Sequence, residues 1–392
     1  MRNKVVVIGH GYTSRLAIIR SVGMEGYNVD VVVVYGSGQR NKLPIDCYSK
    51  YVDKVYYTPS GDNDHLIKLL IETYQHSEKK PILVPESDYA VAVVDRNLNR
   101  LKDIFHVPSI DLKEGAVVEL LDKVKQKEYA RSVGLMVASS TEVTIRNGQF
   151  ELPSNIHYPC FPKPSDGGKK NLGRCDNREQ LKSALENMGK ERDLVVMVEE
   201  YLHIDKEYAL VGFSDGKKVT IPAILYNQEM ANGGHFGVAK RGVVMPVEGY
   251  SSLIEQFKKL ILSIRFIGLF DIDFLECQGQ FYFDEINLRF GGSGYAVTKA
   301  GANLPAMMAN YFADNSANLD CQITRSMTFA NERTCLDDWY DNYTNYKEYI
   351  DRINEAEISF IQDETDPAPY FAYKKMVRRK RILHLIKNFL KK

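Results

Sequence analysis

The chain lacks most of the short signatures that announce a chemistry. Its six cysteines lie far apart, with no CxxC and no Cys/His cluster. That excludes a zinc ribbon or a disulfide framework and points to a reduced, intracellular protein. There is no GxxxxGK[ST] phosphate loop and no kinase HRD set. No apolar run approaches the roughly 18 residues that a membrane-spanning helix needs. The opening "MRNKVVVIGHGY" is a short basic end running into a brief apolar strand, which is not the pattern of a signal peptide. Charge is missing in a different sense. Lysine plus arginine and aspartate plus glutamate number 51 each, so no global field attracts nucleic acid. These absences predict a soluble, cytoplasmic protein without a nucleic-acid partner. Only the C terminus breaks neutrality: no acidic residue follows Asp366, while Lys374, Lys375, Arg378, Arg379, Lys380, Arg381, Lys387, Lys391 and Lys392 accumulate.

What is present is ordinary globular material, 392 residues with 44% hydrophobic, which predicts two or three domains. Residues 5–8 read as a buried strand, "GHGYTS" as a glycine turn, 15–24 as a helix and 28–35 as a second strand. This βαβ unit, with a further strand end in "PILVPESD" (81–88), predicts a doubly wound parallel sheet over residues 1–113. A helical stretch over 114–134 closes at Gly134. Beyond it come a hairpin turning at Asn147–Gly148, a helix over 180–192, hairpin strands to about 225 and a helix over 251–268. Helix–strand alternation with hairpins predicts an α+β unit over 114–315, and a polar, helix-prone extension over 316–392.

The densest chemistry lies in "LFDIDFLECQGQFYFDEINLRFGGSG" (269–294). The segment reads as a hairpin. A three-residue turn at Cys277–Gly279, with Gly279 supplying positive φ, sets Asp271 opposite Glu285 and Asp273 opposite Phe283. Side chains alternate between faces, so Asp271, Asp273, Glu285 and Asn287 share one face, with Phe281 and Phe283 beside them. Converging carboxylates raise one another's pKa, and a hard divalent cation relieves them. A solvated polar sheet face gives the same alternation, but the flanking phenylalanines predict partial burial, and buried acids need a partner. "RFGGSG" then supplies a cation and open backbone.

Weaker candidates are dispersed upstream. "FPKPSDGGKKNLG" (161–173) places Lys163 before a loop in which Gly167 and Gly168 could expose amides to phosphate; on its own Lys163 is a surface lysine. "VMVEEYLHIDKEY" (196–208) places Glu199, Glu200 and Leu202 at a strand end with Glu207 beyond; on its own this is a solvated edge. The order of these elements resembles the ATP-grasp superfamily over roughly residues 115–310. It runs from a lysine in "LDKVKQKEYARSVGL" and one in "FPKP" through a glycine loop and "VEEYL…E" to "DIDF" and "EINLRFGGSG". The twelve-residue step from Asp273 to Glu285, with Asn287 and Arg289 following, is similar to the metal motif of biotin-carboxylase-like and carbamoyl-phosphate-synthase-like members.

The resemblance implies ATP with Mg²⁺, Mn²⁺ being able to replace it. It places Lys123 and Lys163 on the phosphates, Glu199 on the adenine amino group, the backbone at Glu200 and Leu202 on the ring, and Glu207 on ribose. Asp273, Glu285 and Asn287 would ligate metal, Arg289 would steady the transferred phosphoryl group, and Lys240 or Arg241 would reach the γ-phosphate or a substrate carboxylate. Two departures leave alternatives open. The first metal position is Asp rather than Glu, with Asp271 just before it, and Lys127 competes with Lys123. Lid and metal-binding subdomains would divide near residues 124–200 and 201–315. The implied activity is carboxylate–amine ligation through an acyl phosphate, with loop 165–173 as a lid.

"LVPESD", "GHGYTS" and "FANERTCLDDWYDN" resemble ligases of the D-aspartate-ligase type associated with bacterial surface polysaccharides. That implies an amino acid as one substrate and a sugar carboxylate or a lipid-linked glycan as the other. Gly9, Gly11, Ser14, Glu86 and Asp88 would then line the sheet edge. A homo-oligomer is expected. Two other classes stay open. One is a catalytically silent ATP-binding scaffold; the other is an oxidoreductase, for which "GHGYTS" lacks the third glycine. In the tail, Met376, Leu383, Ile386 and Leu390 fall near one helical face, with Ile382 and Phe389 beside them and lysines and arginines elsewhere. This predicts either a basic helix on a membrane, with residues 374–392 in peripheral contact at its inner face, or a helix packed on its own protein.

Overall fold

Valine-rich segments near the N terminus leave neither face polar enough for water, and they form the interior of a parallel sheet. The computed structural model describes residues 2–11, 13–36, 42–166, 173–190, 192–232 and 237–389, with backbone alone at 385 and 387–389. The sheet order is Val52–Pro59, Val29–Tyr35, Val5–Gly9, Ile82–Pro85, every pairing parallel. The helix Thr13–Met24 returns across one face. The helices Asn63–Tyr74 and Asp88–Asp95 start where Asp62 and Ser87 accept hydrogen bonds from the backbone N–H of His65 and Ala90.

A mixed ten-stranded sheet forms the body of the molecule. Its path runs Ile358–Ser359, Met327–Ala330, Ala239–Met245, Ile224–Met230, Lys206–Asp215, Phe266–Cys277, Gln280–Asn287, Met136–Val137. The segment after residue 316 thus contributes two strands to this sheet as well as the helices Glu332–Tyr340, Tyr346–Asn354 and Ala368–Phe389. A separate antiparallel sheet joins Ser140–Ile145, Leu194–Glu200 and Cys160–Pro164, backed by the helix Arg178–Gly189. One apolar core runs from the parallel sheet through the helix Thr13–Met24 to the helix Leu304–Asp314 and the mixed sheet, where Phe329 stacks on Phe360. The strand edges therefore meet on a continuous packed base.

Three local expectations change. The stretch 114–134 is two helices, Ala116–Glu119 and Lys123–Ser132, because Asp122 caps the second through the N–H groups of Val124 and Lys125. The Asn147–Gly148 turn forms, with Arg146 and Gln149 exchanging backbone hydrogen bonds, but its second strand does not. Pro153 has no N–H to extend that ladder, and Ser140–Ile145 pairs with Leu194–Glu200 instead. The helix expected to reach 268 is Ser251–Ser263; Arg265, at φ 56°, turns the chain into the strand Phe266–Cys277.

Candidate nucleotide and metal site

The acidic hairpin, Phe266–Cys277 with Gln280–Asn287, differs from the sequence expectation in register. Cys277 pairs with Gln280, so the loop is the two residues Gln278 and Gly279, at φ 51° and 75°. A β-bulge then falls between the Asp273 and Phe274 pairings and leaves Asp284 as the extra residue. The net result is Asp273 opposite Glu285 and Asp271 opposite Asn287. The four expected groups do share one face. Phe283 does not: it pairs with Phe274 and lies in the core on the other side, with Phe281 packed beside that core. The bulge is what separates them, because an extra residue resets the alternation.

Burial acts strongly on these acids. Asp271 is pushed up to about 7 by burial, with Glu285 and Asp88 adding to it and Arg289 opposing. Burial beside Asp271, Glu285 and Asp284 holds Asp273 well above the usual carboxylate range. Oδ1 of Asp271 is buried with no hydrogen-bond partner. On its other side Gly291 packs so tightly that a Cβ there would lie 2.0 Å from Oδ2. An orphaned carboxylate oxygen beside a second acid that resists ionisation is a donor set suited to a hard cation. Among the described residues no three His, Cys, Asp or Glu side chains yet converge as a ready metal cage. Two of the hairpin carboxylates, Asp284 and Glu285, are instead paired with lysines.

Those lysines alternate with acids in a chain. Lys127 binds Glu199; Lys163 bridges Glu199 at 3.2 Å and Asp284 at 2.6 Å; Lys123 binds Glu285. Burial tends to raise Asp284, but Lys163, Lys127 and Lys123 outweigh it and bring it down to about 2. Burial works against the Lys163 ammonium, yet Asp284 and Glu199 hold its pKa above the ordinary lysine value. The lysines reach this place for local reasons. Lys123 and Lys127 stand one turn apart on a single helix. Between them Gln126 donates to the carbonyls of Leu120 and Ile286 at 2.8 and 2.9 Å and accepts from the Ile286 N–H at 3.0 Å, fixing the helix to the acidic strand. Glu207 faces the same cluster, raised by burial and then by Asp284.

Other candidates are placed differently. Glu200 is engaged twice with Ser139, its N–H donating to the carbonyl at 2.9 Å and its carboxylate accepting from the N–H at 2.8 Å. Leu202 follows the strand end and is half-buried. Lys240 is buried and donates to Asp338 at 2.6 Å, while Arg241 meets Glu229 and Glu355 at 3.3 and 3.0 Å. Both lie on Ala239–Met245, which two strands separate from the acidic strand, and neither is brought to the hairpin. Gly167 and Gly168 lie outside the described residues.

The parallel sheet supplies a second wall. Arg289 donates to Asp88 at 2.6 Å and, more weakly, to Asn287 at 3.3 Å. Glu86, 3% exposed, accepts from the Gly11 N–H at 2.8 Å and the Ser14 hydroxyl at 2.5 Å. A Cβ at Gly9 would stand 2.0 Å from its Oε1, so the glycine turn allows this close approach. Burial raises the Glu86 pKa against Arg15, Ser14 and Gly11. Glu86 is therefore a buried acid held by the glycine turn. Asp284 and Gln126 are the members that sequence reasoning missed. A bulge leaves no trace in an alternating pattern, whereas the placement of Gln126 between two lysines on one helix was a usable signal.

No family model matches the chain. Among curated proteins it is 26% identical over 306 residues to the carbamoyl phosphate synthase large chain of Clostridium botulinum, covering 74% of this chain and 27% of that protein. It is 24% identical over 294 residues to the Clostridium beijerinckii protein of the same name, covering 72% and 26%. The chain thus spans about a quarter of the length of the curated relatives it matches. Among solved structures it is similar to an L-amino acid ligase from Bacillus licheniformis (TM-score 0.64, 16% identity, 84% and 79% of the two chains). It is also similar to N5-carboxyaminoimidazole synthetase from Staphylococcus aureus complexed with ADP (TM-score 0.63, 19%, 88% and 87%). A third is biotin carboxylase from Campylobacter jejuni in its β,γ-ATP complex (TM-score 0.63, 18%, 83% and 74%).

Proposed function

From the ATP-grasp fold that this chain carries, we propose that it is an ATP-dependent carboxylate–amine ligase. It phosphorylates an organic acid to an acyl phosphate and passes the acyl group to an amine, releasing ADP and phosphate. The observation that carries this reading is the alternating chain Lys127–Glu199–Lys163–Asp284 beside the pair Lys123–Glu285. Lysines paired with exchangeable carboxylates can release them when a triphosphate arrives. In this reading Lys123 and Lys163 neutralise phosphate charge, and Gly167 and Gly168 supply loop amides. Glu199 holds the adenine amino group, with backbone at Glu200 and Leu202, and Glu207 binds ribose.

Asp273, Glu285 and Asn287 would hold Mg²⁺ or Mn²⁺, with Asp271 adjoining. The ion's contribution is to neutralise charge between the nucleotide phosphates and the attacking acid. Arg289, turned by Asp88, steadies the acyl phosphate, and the wall at Gly11, Ser14 and Glu86 keeps the acid and amine in place. The chemistry needs no protein nucleophile.

The amine or acid is an amino acid and its partner a sugar acid or glycan precursor, in a cytoplasmic homo-oligomer serving polysaccharide synthesis. Residues 1–113, 114–315 and 316–392 are our proposed units. The test is ADP release across acid–amine pairs, beginning with aspartate, glutamate and uronic acids. Release that needs both partners supports ligation. Binding of Mg·ATP without turnover on any pair would instead make the chain a silent nucleotide-binding scaffold.

A further inference from the structure

The C-terminal helix Ala368–Phe389 has two unlike sides. Tyr373, Val377 and His384 are buried on one of them. Tyr373 donates to the backbone carbonyl of Glu332 at 2.6 Å, Lys380 donates to Asp337 at 2.6 Å, and His384 packs against Trp339. This side, with Met376 partly buried beside it, is docked on the protein. It is not the face that the spacing of Met376, Leu383 and Ile386 predicts; Leu390 lies outside the described residues.

The opposite side is apolar where it should be polar. Phe371 is 63% exposed, Ile382 60%, Leu383 47% and Ile386 50%. At 100° per residue Phe371, Ile382 and Ile386 lie within roughly a fifth of the helix circumference, with Leu383 about 60° further round. Lys375, Arg378 and Arg379 fall in the same sector and are exposed. No acidic residue follows Asp366 to counter them. A solvated helix would not keep three large apolar side chains in line, and a helix waiting for its own core would not interleave them with cations.

We propose that this outward face docks on an anionic lipid surface, the apolar side chains entering the headgroup boundary and the cations meeting lipid phosphates. Charge complementarity selects this occupant. A second copy of the same face would bring like charges together. Nucleic acid would pair with the cations but leave Ile382, Leu383 and Ile386 against phosphate. The docked side keeps the helix fixed, so binding orders no further chain and the cost of that ordering is avoided. Among the described residues no helix is long and apolar enough to cross a membrane, so the contact is with the surface.

Flotation of the full chain with vesicles tests it. Phosphatidylcholine alone should not capture the protein; phosphatidylcholine and phosphatidylglycerol in equal parts should, and less so as salt rises. Ile382→Ser with Ile386→Ser, and separately Arg378→Gln with Arg379→Gln, should each weaken capture about tenfold or more. The melting temperature should be unchanged, because these side chains face outward. Failure of the wild-type chain to float with anionic vesicles overturns the proposal, as does undiminished capture of both variants. A fall in oligomeric mass in the serine variant would assign the face to a second copy and overturn it too.

Discussion

Two charged regions of this molecule look alike on paper and differ in what they leave over. Behind the first helix, Arg20 is buried and fully spoken for. It donates to Asp366 at 3.0 Å and to the carbonyls of Phe360 and Ile361 at 3.1 and 2.9 Å. Nearby Glu332 accepts from the N–H groups of Phe360, Ile361 and Gln362 at 2.8, 3.0 and 2.9 Å. In the acidic site, Lys163 and Asp284 pair while remaining partly open to solvent, Lys127 and Glu199 pair in a buried position beside them, and Asp271 keeps an oxygen with no partner. The first network closes on itself and ties the C-terminal segment to the N-terminal sheet. The second pairs its lysines with acids yet leaves one carboxylate oxygen of Asp271 unpaired.

The sharpest way to break this contrast is Arg20→Ala. Removing one member of a satisfied buried pair should cost about 3–5 kcal/mol in urea unfolding, while ADP release by the remaining folded protein stays near normal. Glu285→Gln should do the reverse. Turnover should fall about 10²–10³-fold at a melting temperature close to wild type, measured by coupled ADP assay and calorimetry. If both variants lose stability alike, the cleft is only another structural network.

Asp271→Asn separates the two regions by sign. An acid raised in the folded state to about 7 from an ordinary 3.8 adds stability fully present below about 4 and lost as pH rises through 7. The asparagine variant should flatten that part of the pH–stability curve without Mg²⁺ and be more stable than wild type at pH 8, by about one to a few kcal/mol. Its dependence on Mg²⁺ for activity should worsen. A wild-type urea midpoint that does not fall between pH 5 and 8 would count against the raised acid.

Arg241→Ala should have the smallest effect, a change in turnover of about twofold or less, since its guanidinium is occupied by Glu229 and Glu355. A loss beyond tenfold would return this arginine to the substrate.

Much of the fold is legible in the sequence where one residue type serves one local need. The valine runs and the glycine turn after the first strand are of that kind; the caps at Asp62 and Ser87 emerged only from the structure. Shared placement of the candidate residues is legible where spacing is enough: Asp273, Glu285 and Asn287 on one strand pair, Lys123 and Lys127 on one helix. What stayed hidden depends on partners distant in sequence. Asp338, nearly a hundred residues on, claims Lys240, and nothing near Lys240 shows it.

Alternation and composition act over a few residues, so they set which strands could be buried and which acids would share a face. Which of those charges are already paired and which are open depends on the folded molecule. Pairing depends on distance and burial, and a single bulge at Asp284 was enough to change both.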